Sequence, residues 1–291
     1  MEASAAPYVG RFAPSPTGPL HAGSLHAAVI SWLDARAVGG RWLLRIEDLD
    51  PPRTIPGADE SIRRTLLAHG LEWDEEAPAQ STRDAVYARA LQRLTSAGQT
   101  FRCICSRRAL KASGPIYPGT CRDLNIDRST GAAVRFRTDR DREAFNDRAF
   151  GAQDLATLGD FVVRRRDGLW AYQLAVVVDD AEQEVTDVVR GSDLLDSTPR
   201  QLVLHRAFAT PKPRYLHHGV LHWPDGPKLS KQTGAPAVED SAAAQNIAVI
   251  LGRLRLPHDA GASPTEQLQQ ARAAWQKVAP ATLRRNFVFP G

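Results

Sequence analysis

The sequence has 291 residues, of which 43% are hydrophobic and 24% charged, with a formal net charge of +4. A chain of this length buries a substantial core, and no apolar run approaches the roughly 20 residues that a membrane-spanning helix needs. Its first residues lack the basic and apolar segments of a secretory signal, so we expect a cytoplasmic protein without membrane contacts. The positive charge, mainly from arginine, fits an anionic partner as well as an ordinary solvated surface.

The first predicted elements are a strand, a helix and a second strand. Residues 8–13 form a short apolar run, apolar residues recur at helical spacing from Ser24 to the glycines at 39–40, and residues 41–47 form a second apolar run. This order predicts a βαβ unit with parallel strands. The Pro- and Gly-rich turn "PSPTGPLHAGS" lies between the first strand and its helix, where α/β sheets bind anionic ligands.

Further along, helical periodicity predicts helices over residues 58–69 and 84–97, so residues 1–101 form the first half of a nucleotide-binding α/β domain. Residues 102–158 contain all three cysteines, several turn signals and an alternating strand at 133–137. This change of character predicts an insertion that splits the α/β domain.

The α/β domain is predicted to resume over residues 159–232. Three apolar, strand-like segments are followed by an amphipathic helix at 200–208. The three segments are residues 160–165, 174–180 and 185–191. Helical patterns in the remainder predict a short, mainly helical C-terminal segment over residues 233–291.

Two short motifs carry the chemical signal. His21, Gly23 and Ser24 lie at the strand-to-helix turn, and "KLSKQ" begins at Lys228 and contains Lys231. The histidine could donate to phosphate oxygens, the glycine would let a nucleotide approach the backbone, and the lysines would neutralise a departing pyrophosphate. Taken alone, the histidine could equally begin a helix, and the lysines could occupy a solvated surface turn.

Together the two motifs resemble the HIGH and KMSKS signatures of class I aminoacyl-tRNA synthetases. "RFAPSPTGPLHAGSLHAA" with "RIEDLDPPR" is similar to the glutamyl branch of that class, and the likeness extends over most of residues 8–232. It implies a Rossmann-like catalytic domain. Ser24 stands where the second histidine is common, and Leu229 and Gln232 replace the methionine and final serine of the lysine signature.

The resemblance also implies roles for single residues. For glutamate, it implies carboxylate binding by Arg11 and Arg190, α-amino binding by Glu47, and a pocket lined by Tyr172, Ala13 and Ser15. For ATP, it implies His21, Gly23, Ser24 and Lys231, and for catalysis His21, Gly23, Lys228 and Lys231. Mg²⁺ would accompany the ATP.

The number of residues after the lysine motif indicates which members of the glutamyl branch the chain resembles. Only 59 residues follow Gln232, too few for the anticodon-binding domain of a glutamyl-tRNA synthetase. The chain is similar to truncated paralogues that attach glutamate to the queuosine base of tRNA(Asp), which implies ATP, L-glutamate and queuosine-bearing tRNA(Asp) as partners of a monomer. Two alternatives stay open: a shortened enzyme that charges the 3′ end of tRNA(Glu), and a non-catalytic RNA-binding paralogue.

The cysteines form a separate pattern. Cys103 and Cys105 make a C-x-C pair, and Cys121 follows a short loop. Intracellular thiolates in such a cluster are typical of zinc sites, where a fourth ligand completes a tetrahedron, although three reduced thiols could also pack in a small core. General chemistry leaves the fourth ligand open between an oxygen, a water and a remote residue. The family resemblance implies Tyr117, which would give one structural zinc ion per chain.

Overall fold

A computed structural model describes residues 7–114, 116–127, 130–138, 143–154 and 159–289. The strands are β1 (Val9–Phe12), β2 (Arg41–Leu44), β3 (Glu75–Glu76), β4 (Thr100–Cys103), β5 (Ala133–Phe136), β6 (Phe145–Asp147), β7 (Gly151–Gln153), β8 (Phe161–Arg164), β9 (Asp187–Gly191), β10 (Arg214–His218), β11 (Leu221–His222) and β12 (Phe287–Val288). The helices are α1 (Ala22–Arg36), α2 (Ala58–Ala68), α3 (Asp84–Ser96), α4 (Arg107–Ala112), α5 (Tyr172–Glu182), α6 (Thr198–Phe208), α7 (Ala243–Arg253), α8 (Pro264–Arg272) and α9 (Pro280–Arg284).

The predicted βαβ unit is confirmed. β1 is buried along its whole length and pairs in parallel with β2, and α1 connects the two strands. The helix ends before Gly39, whose φ of 68° lies in the left-handed region that glycine adopts without a steric cost. At Gly40 a Cβ atom would come within 2.7 Å of Tyr8, so the chain needs glycine there to turn back into β2.

The unit belongs to a mainly parallel layer. β1, β2 and β3 form one sheet, and β7, β6, β10 and β9 form a second one in that order. The backbone N–H of Thr186 donates to the carbonyl of Val9 at 2.9 Å, so β9 lies beside β1 and the two sheets continue one another. The carboxyl ends of β1, β2, β9 and β10 therefore meet at one edge, where ligands of such sheets bind.

A second, antiparallel sheet contains β4, β5 and β8. It carries the cysteine-rich region, whereas β6, from the same predicted insertion over 102–158, pairs in parallel with β10 of the main layer. The proposed boundary at residue 158 lies outside the described residues. The domain boundaries therefore stay predictions.

One element of the sequence prediction is wrong. Residues 174–180 were expected to form a strand, but they belong to α5. All seven side chains from Leu174 to Asp180 are buried, because α5 is enclosed by its neighbours on every face. A helix that is apolar all round shows no amphipathic periodicity, and a short apolar run of this kind cannot be distinguished from a buried strand by pattern alone.

The C-terminal segment is helical, as predicted, and packs on α1. Ile247, Leu251 and Leu268 share one apolar core with the buried face of α1. The indole N–H of Trp275 donates to Asp34 on α1 at 2.9 Å, in a buried contact. The segment thus stabilises the helix whose N-terminus faces the candidate site.

In the described part of the chain, none of the helices has the length and apolar character required to span a bilayer.

Candidate active site

A cavity of about 480 Å³ lies at the carboxyl edge of the parallel layer. Every residue that the sequence predicts for glutamate, nucleotide or catalysis lines this one cavity. These residues are Arg11, Ala13, Ser15, His21, Gly23, Ser24, Glu47, Tyr172, Arg190, Lys228 and Lys231. The fold thus brings together residues from β1, the turn before α1, the chain after β2, α5, β9 and the loop that carries the KLSKQ motif, residues 228–232, here called the lysine loop.

His21 stands at the N-terminus of α1 and is a neutral hydrogen-bond donor toward the cavity. Its Nδ1 accepts the backbone N–H groups of Gly23 at 3.1 Å and Ser24 at 3.3 Å, which leaves the ring proton on Nε2. Burial, followed by the charges of Lys231 and Lys228, lowers the pKa of His21 to about 4. The imidazole therefore caps the helix on one side and can donate to an anionic ligand on the other.

A buried set of alternating charges surrounds Arg11 and Glu47. Arg11 Nε donates to Asp180 at 3.2 Å, and Arg45 contacts Asp180 at 2.8 Å and Glu47 at 3.3 Å. Burial would raise the pKa of Asp180, but the charges of Arg11 and Arg45 hold it below its usual range. Burial raises the pKa of Glu47 despite those two arginines, so a cationic ligand beside Glu47 would be favourable.

Arg190, on β9, is a buried cation whose hydrogen-bond partners among the described residues are all neutral. Its five hydrogen bonds go to His217, Tyr172, Gln201, Thr198 and the carbonyl of Leu194. None of the ion pairs within the described ranges of the chain involves Arg190. A buried guanidinium without a carboxylate partner would favour an anionic ligand beside it.

The lysine loop closes the cavity. Lys231 Nζ donates to the carbonyl of Gly18 at 2.6 Å, and Lys228 pairs with Asp193 at 2.6 Å. Leu229, which replaces the methionine of the family signature, is buried between them with 1% of its surface exposed. Burial lowers the pKa of Lys231 to about 8. The apolar residue anchors the loop while the ammonium groups face the cavity mouth.

The cysteine cluster lies apart from this cavity. The sulfur atoms of Cys103, Cys105 and Cys121 lie within 4.8 Å of one another, and this triad could hold a metal ion. The Tyr117 hydroxyl lies 3.5 Å from Cys103 Sγ and 3.8 Å from Cys105 Sγ. Tetrahedral zinc with Zn–S bonds of about 2.3 Å places sulfurs about 3.8 Å apart, and Cys105 Sγ and Cys121 Sγ lie 3.5 Å apart. The guanidinium of Arg135 lies 4.0 Å from the centre of the Tyr117 ring.

Several polar residues of the site do not follow from the sequence reasoning. Asp180 and Arg45 support Arg11 and Glu47, and Asp193 pairs with the lysine loop. The adjacent carboxylates in "VVVDD" could have indicated buried ion pairs, since charged residues rarely follow such a run without partners. Nothing in the local pattern marks His217, because its contacts come from distant parts of the chain.

The fold and this cavity define a class I tRNA synthetase catalytic domain. Residues 8–247 match the family described as "tRNA synthetases class I (E and Q), catalytic domain". The crystal structure of glutamate-tRNA synthetase from Elizabethkingia anophelis is similar, with a TM-score of 0.79 and 25% identity, over 96% of this chain and 68% of that one.

Full-length relatives give the finer assignment. A protein of Pseudomonas entomophila (strain L48), named glutamyl-Q tRNA(Asp) synthetase, is 50% identical over 97% of both chains. One of Ectopseudomonas mendocina (strain ymp), with the same name, is 53% identical over 93% of this chain and 94% of the relative. This chain belongs to the glutamyl-Q tRNA(Asp) synthetase family, which confirms the resemblance inferred from the sequence and makes the protein a ligase.

Proposed function

We propose that this enzyme activates L-glutamate with ATP and transfers the glutamyl group to the queuosine base in the anticodon loop of tRNA(Asp). The glutamate α-carboxylate attacks the α-phosphorus of ATP, glutamyl-AMP forms and pyrophosphate leaves. A hydroxyl of the queuosine ring then takes the acyl group, and AMP leaves. The observation that carries this proposal is that one cavity is lined by the neutral His21, the Lys231 ammonium and Arg190, which has no ion pair among the described residues.

The amino-acid end of the cavity is assigned to glutamate. Arg11 and Arg190 bind the two carboxylates, and Glu47 binds the α-ammonium group, whose positive charge would lower the raised pKa of Glu47. Tyr172, Ala13 and Ser15 line the pocket. Glutamine would leave a buried guanidinium without a counter-charge, so the site discriminates against it.

The nucleotide end is assigned to His21, Gly23, Ser24 and Lys231, with Lys228 acting on the departing pyrophosphate. His21 donates through Nε2 to phosphate oxygens, and the two lysines supply positive charge as negative charge accumulates. ATP enters as its magnesium complex, in which Mg²⁺ neutralises part of the phosphate charge. Catalysis then rests on orientation and electrostatic stabilisation.

We assign one structural zinc ion to Cys103, Cys105, Tyr117 and Cys121. The sulfur spacing and the hydroxyl of Tyr117 support four-coordinate binding, and the cation over the tyrosine ring favours a ligand set with excess negative charge. Zinc would stabilise a region with few apolar residues of its own. We further assign the protein to the cytoplasm as a monomer.

The decisive experiment combines two assays on the purified protein. Glutamate-dependent ATP–pyrophosphate exchange without tRNA tests activation, and exchange with none of the amino acids would refute it. Labelled glutamate is then offered to tRNA(Asp) with queuosine, tRNA(Asp) without it, and tRNA(Glu), and nuclease digestion locates the label. We expect label only on the queuosine-containing anticodon loop. Label at the 3′ end of tRNA(Glu) would contradict the proposed acceptor.

A further inference from the structure

Arg190 is fixed on its protein side by groups that do not face the substrate cavity. Its Nε donates to His217 Nε2 at 3.0 Å, and its terminal nitrogens donate to Gln201 and Thr198 at 2.8 Å each. The two remaining bonds, to Tyr172 and the Leu194 carbonyl, are 3.3 Å long and belong to residues that line the cavity. A substrate carboxylate would replace the longer bonds and leave the shorter ones in place.

His217 can accept from Arg190 only in one tautomer. Its Nδ1 lies 2.7 Å from Asp147 Oδ2, and both side chains are fully buried. The Asp147 carboxylate accepts a hydrogen bond from Nδ1–H, so the ring proton stays on Nδ1 and Nε2 keeps the lone pair that Arg190 Nε–H requires. Burial lowers the pKa of His217 and keeps the ring neutral. Burial alone would raise the pKa of Asp147, but hydrogen bonds from His217 and Phe150 N–H hold it below its usual range.

Asp147 is itself held rigidly. Its Oδ1 accepts the backbone N–H groups of Ala149 and Phe150 at 2.9 Å each, and its Oδ2 accepts the backbone N–H of His217 at 3.1 Å. Asp147 ends β6, and His217 lies on the neighbouring β10. The contact between β6 and β10 therefore determines that His217 presents an unprotonated Nε2 to Arg190.

We propose that Asp147 and His217 are positioning residues that orient Arg190 for the side-chain carboxylate of the amino-acid substrate, and that they set the KM for glutamate. The proposal rests on the function proposed above for Arg190. Neither side chain lines the cavity, so they act only through the guanidinium. The bond to His217 Nε2 limits rotation of the guanidinium about Nε, on which its alignment with a carboxylate depends.

Two substitutions of His217 separate this role from general structural support. In His217→Asn the amide nitrogen can replace Nδ1 and donate to Asp147, but residue 217 no longer offers an acceptor to Arg190 Nε–H. In His217→Gln the longer side chain can place an acceptor oxygen near the Nε2 position, while the bond to Asp147 is lost. Each variant loses one buried hydrogen bond, so both should lose similar stability in thermal unfolding.

The test is to determine KM for glutamate, KM for ATP and kcat by ATP–pyrophosphate exchange. His217→Asn should raise KM for glutamate about tenfold, because a lost hydrogen bond to a charged group changes binding by about that much. His217→Gln keeps an acceptor for Arg190 and should raise this KM by less than about threefold. KM for ATP should stay within about twofold in both, since Arg190 binds the amino acid. His69→Asn, at a buried histidine bonded to Thr65 and Asn246, is the matched control and should leave KM for glutamate unchanged.

Asp147→Asn tests the tautomer directly. Its amide oxygen should stay on the N–H groups of Ala149 and Phe150, so its NH₂ faces His217 Nδ1 and moves the ring proton to Nε2. Side-chain ¹⁵N shifts in the ligand-free protein should show Nε2 unprotonated before the substitution and protonated after it, with KM for glutamate raised about tenfold.

The outcomes are distinct. Equal KM values for glutamate in His217→Asn and His217→Gln, or an unchanged tautomer in Asp147→Asn, would overturn the positioning role while glutamate-dependent exchange by the unaltered protein persists. Absence of that exchange in the unaltered protein would instead overturn the proposed function and, with it, this inference. The inference is supported if KM for glutamate rises about tenfold in His217→Asn and Asp147→Asn but not in His217→Gln.

Discussion

The substrate cavity and the cysteine cluster differ in what holds their polar groups in place. In the cavity, Arg11 is paired with Asp180, and Lys231 donates to the carbonyl of Gly18. In the cluster, the cysteine sulfurs contact one another: Cys105 Sγ and Cys121 Sγ lie 3.5 Å apart. The cavity lies at the edge of the main parallel layer, whereas the cluster lies at the end of β4 and, in the described part of the chain, packs in a small apolar group with Phe101 and Ile126.

This difference separates two ways of keeping a site in shape. Bonds between protein groups pre-organise the cavity for its substrates, so its geometry should survive without them. The cluster converges on a point that a metal ion would occupy, and its stability should depend on that ion. Loss of a cavity residue should therefore change catalysis, and loss of a cluster residue should change stability.

The largest effect is expected for Arg190→Gln. Removing the buried cation should lower kcat/KM for glutamate about 10³-fold, because losing one partner of a desolvated charge pair costs about 4 kcal/mol. Glutamate-dependent exchange measures the change. Arg200→Gln, at a half-buried arginine on α6 that donates to the Asp196 carbonyl, is the control and should retain full activity. A loss below tenfold in Arg190→Gln would show that this guanidinium does not bind the substrate.

Loss of the proposed zinc ion should have the next largest effect, and the effect should be seen in the stability of the protein. Cys121→Ser should abolish zinc binding and lower the free energy of unfolding by about 3 kcal/mol, which lowers Tm by about 10 °C. Zinc content by elemental analysis and thermal unfolding measure this. Ser113→Ala, at an exposed serine that follows α4, should change neither.

Exchange activity completes the comparison between the two regions. Below the lowered Tm, Cys121→Ser should keep glutamate-dependent exchange within about threefold, since no cluster residue lines the cavity. Exchange that disappears together with zinc while the chain remains folded would mean that the two regions are coupled.

The sequence predicts the residues that line the cavity better than the buried residues that hold them in place. The reason is that the buried residues meet partners far away in the sequence. His21 and Gly23 lie in one turn whose spacing has a local signature, so their placement could be predicted. Asp147 and His217 are 70 residues apart and meet only because β6 pairs with β10. The mistaken strand over residues 174–180 has a related cause, since its burial on all sides is decided by neighbours that local periodicity does not report.

A smaller effect should come from pH. Burial lowers the pKa of Lys231 to about 8, and the proposed function needs its charged form. The value of kcat/KM for ATP should therefore fall about tenfold per pH unit above that pKa, since this parameter reports groups of the free enzyme. In Lys231→Arg the alkaline decline should disappear, because arginine stays protonated. An identical decline in both proteins would assign it to another group.

The smallest effect is expected for Gly23→Ala, which tests how closely the cavity is built around the nucleotide. A Cβ atom there would lie 3.0 Å from Cε1 and 3.1 Å from Nδ1 of His21, so the imidazole must shift from its capping position. We expect KM for ATP to rise about fivefold, which corresponds to about 1 kcal/mol of overpacking, with KM for glutamate unchanged. Gly131→Ala, where none of the described residues comes within 4 Å of the added atom, is the matched control. If KM for ATP does not change in Gly23→Ala, the His21 position is more adaptable than a pre-organised site allows, and the contrast with the cysteine cluster weakens.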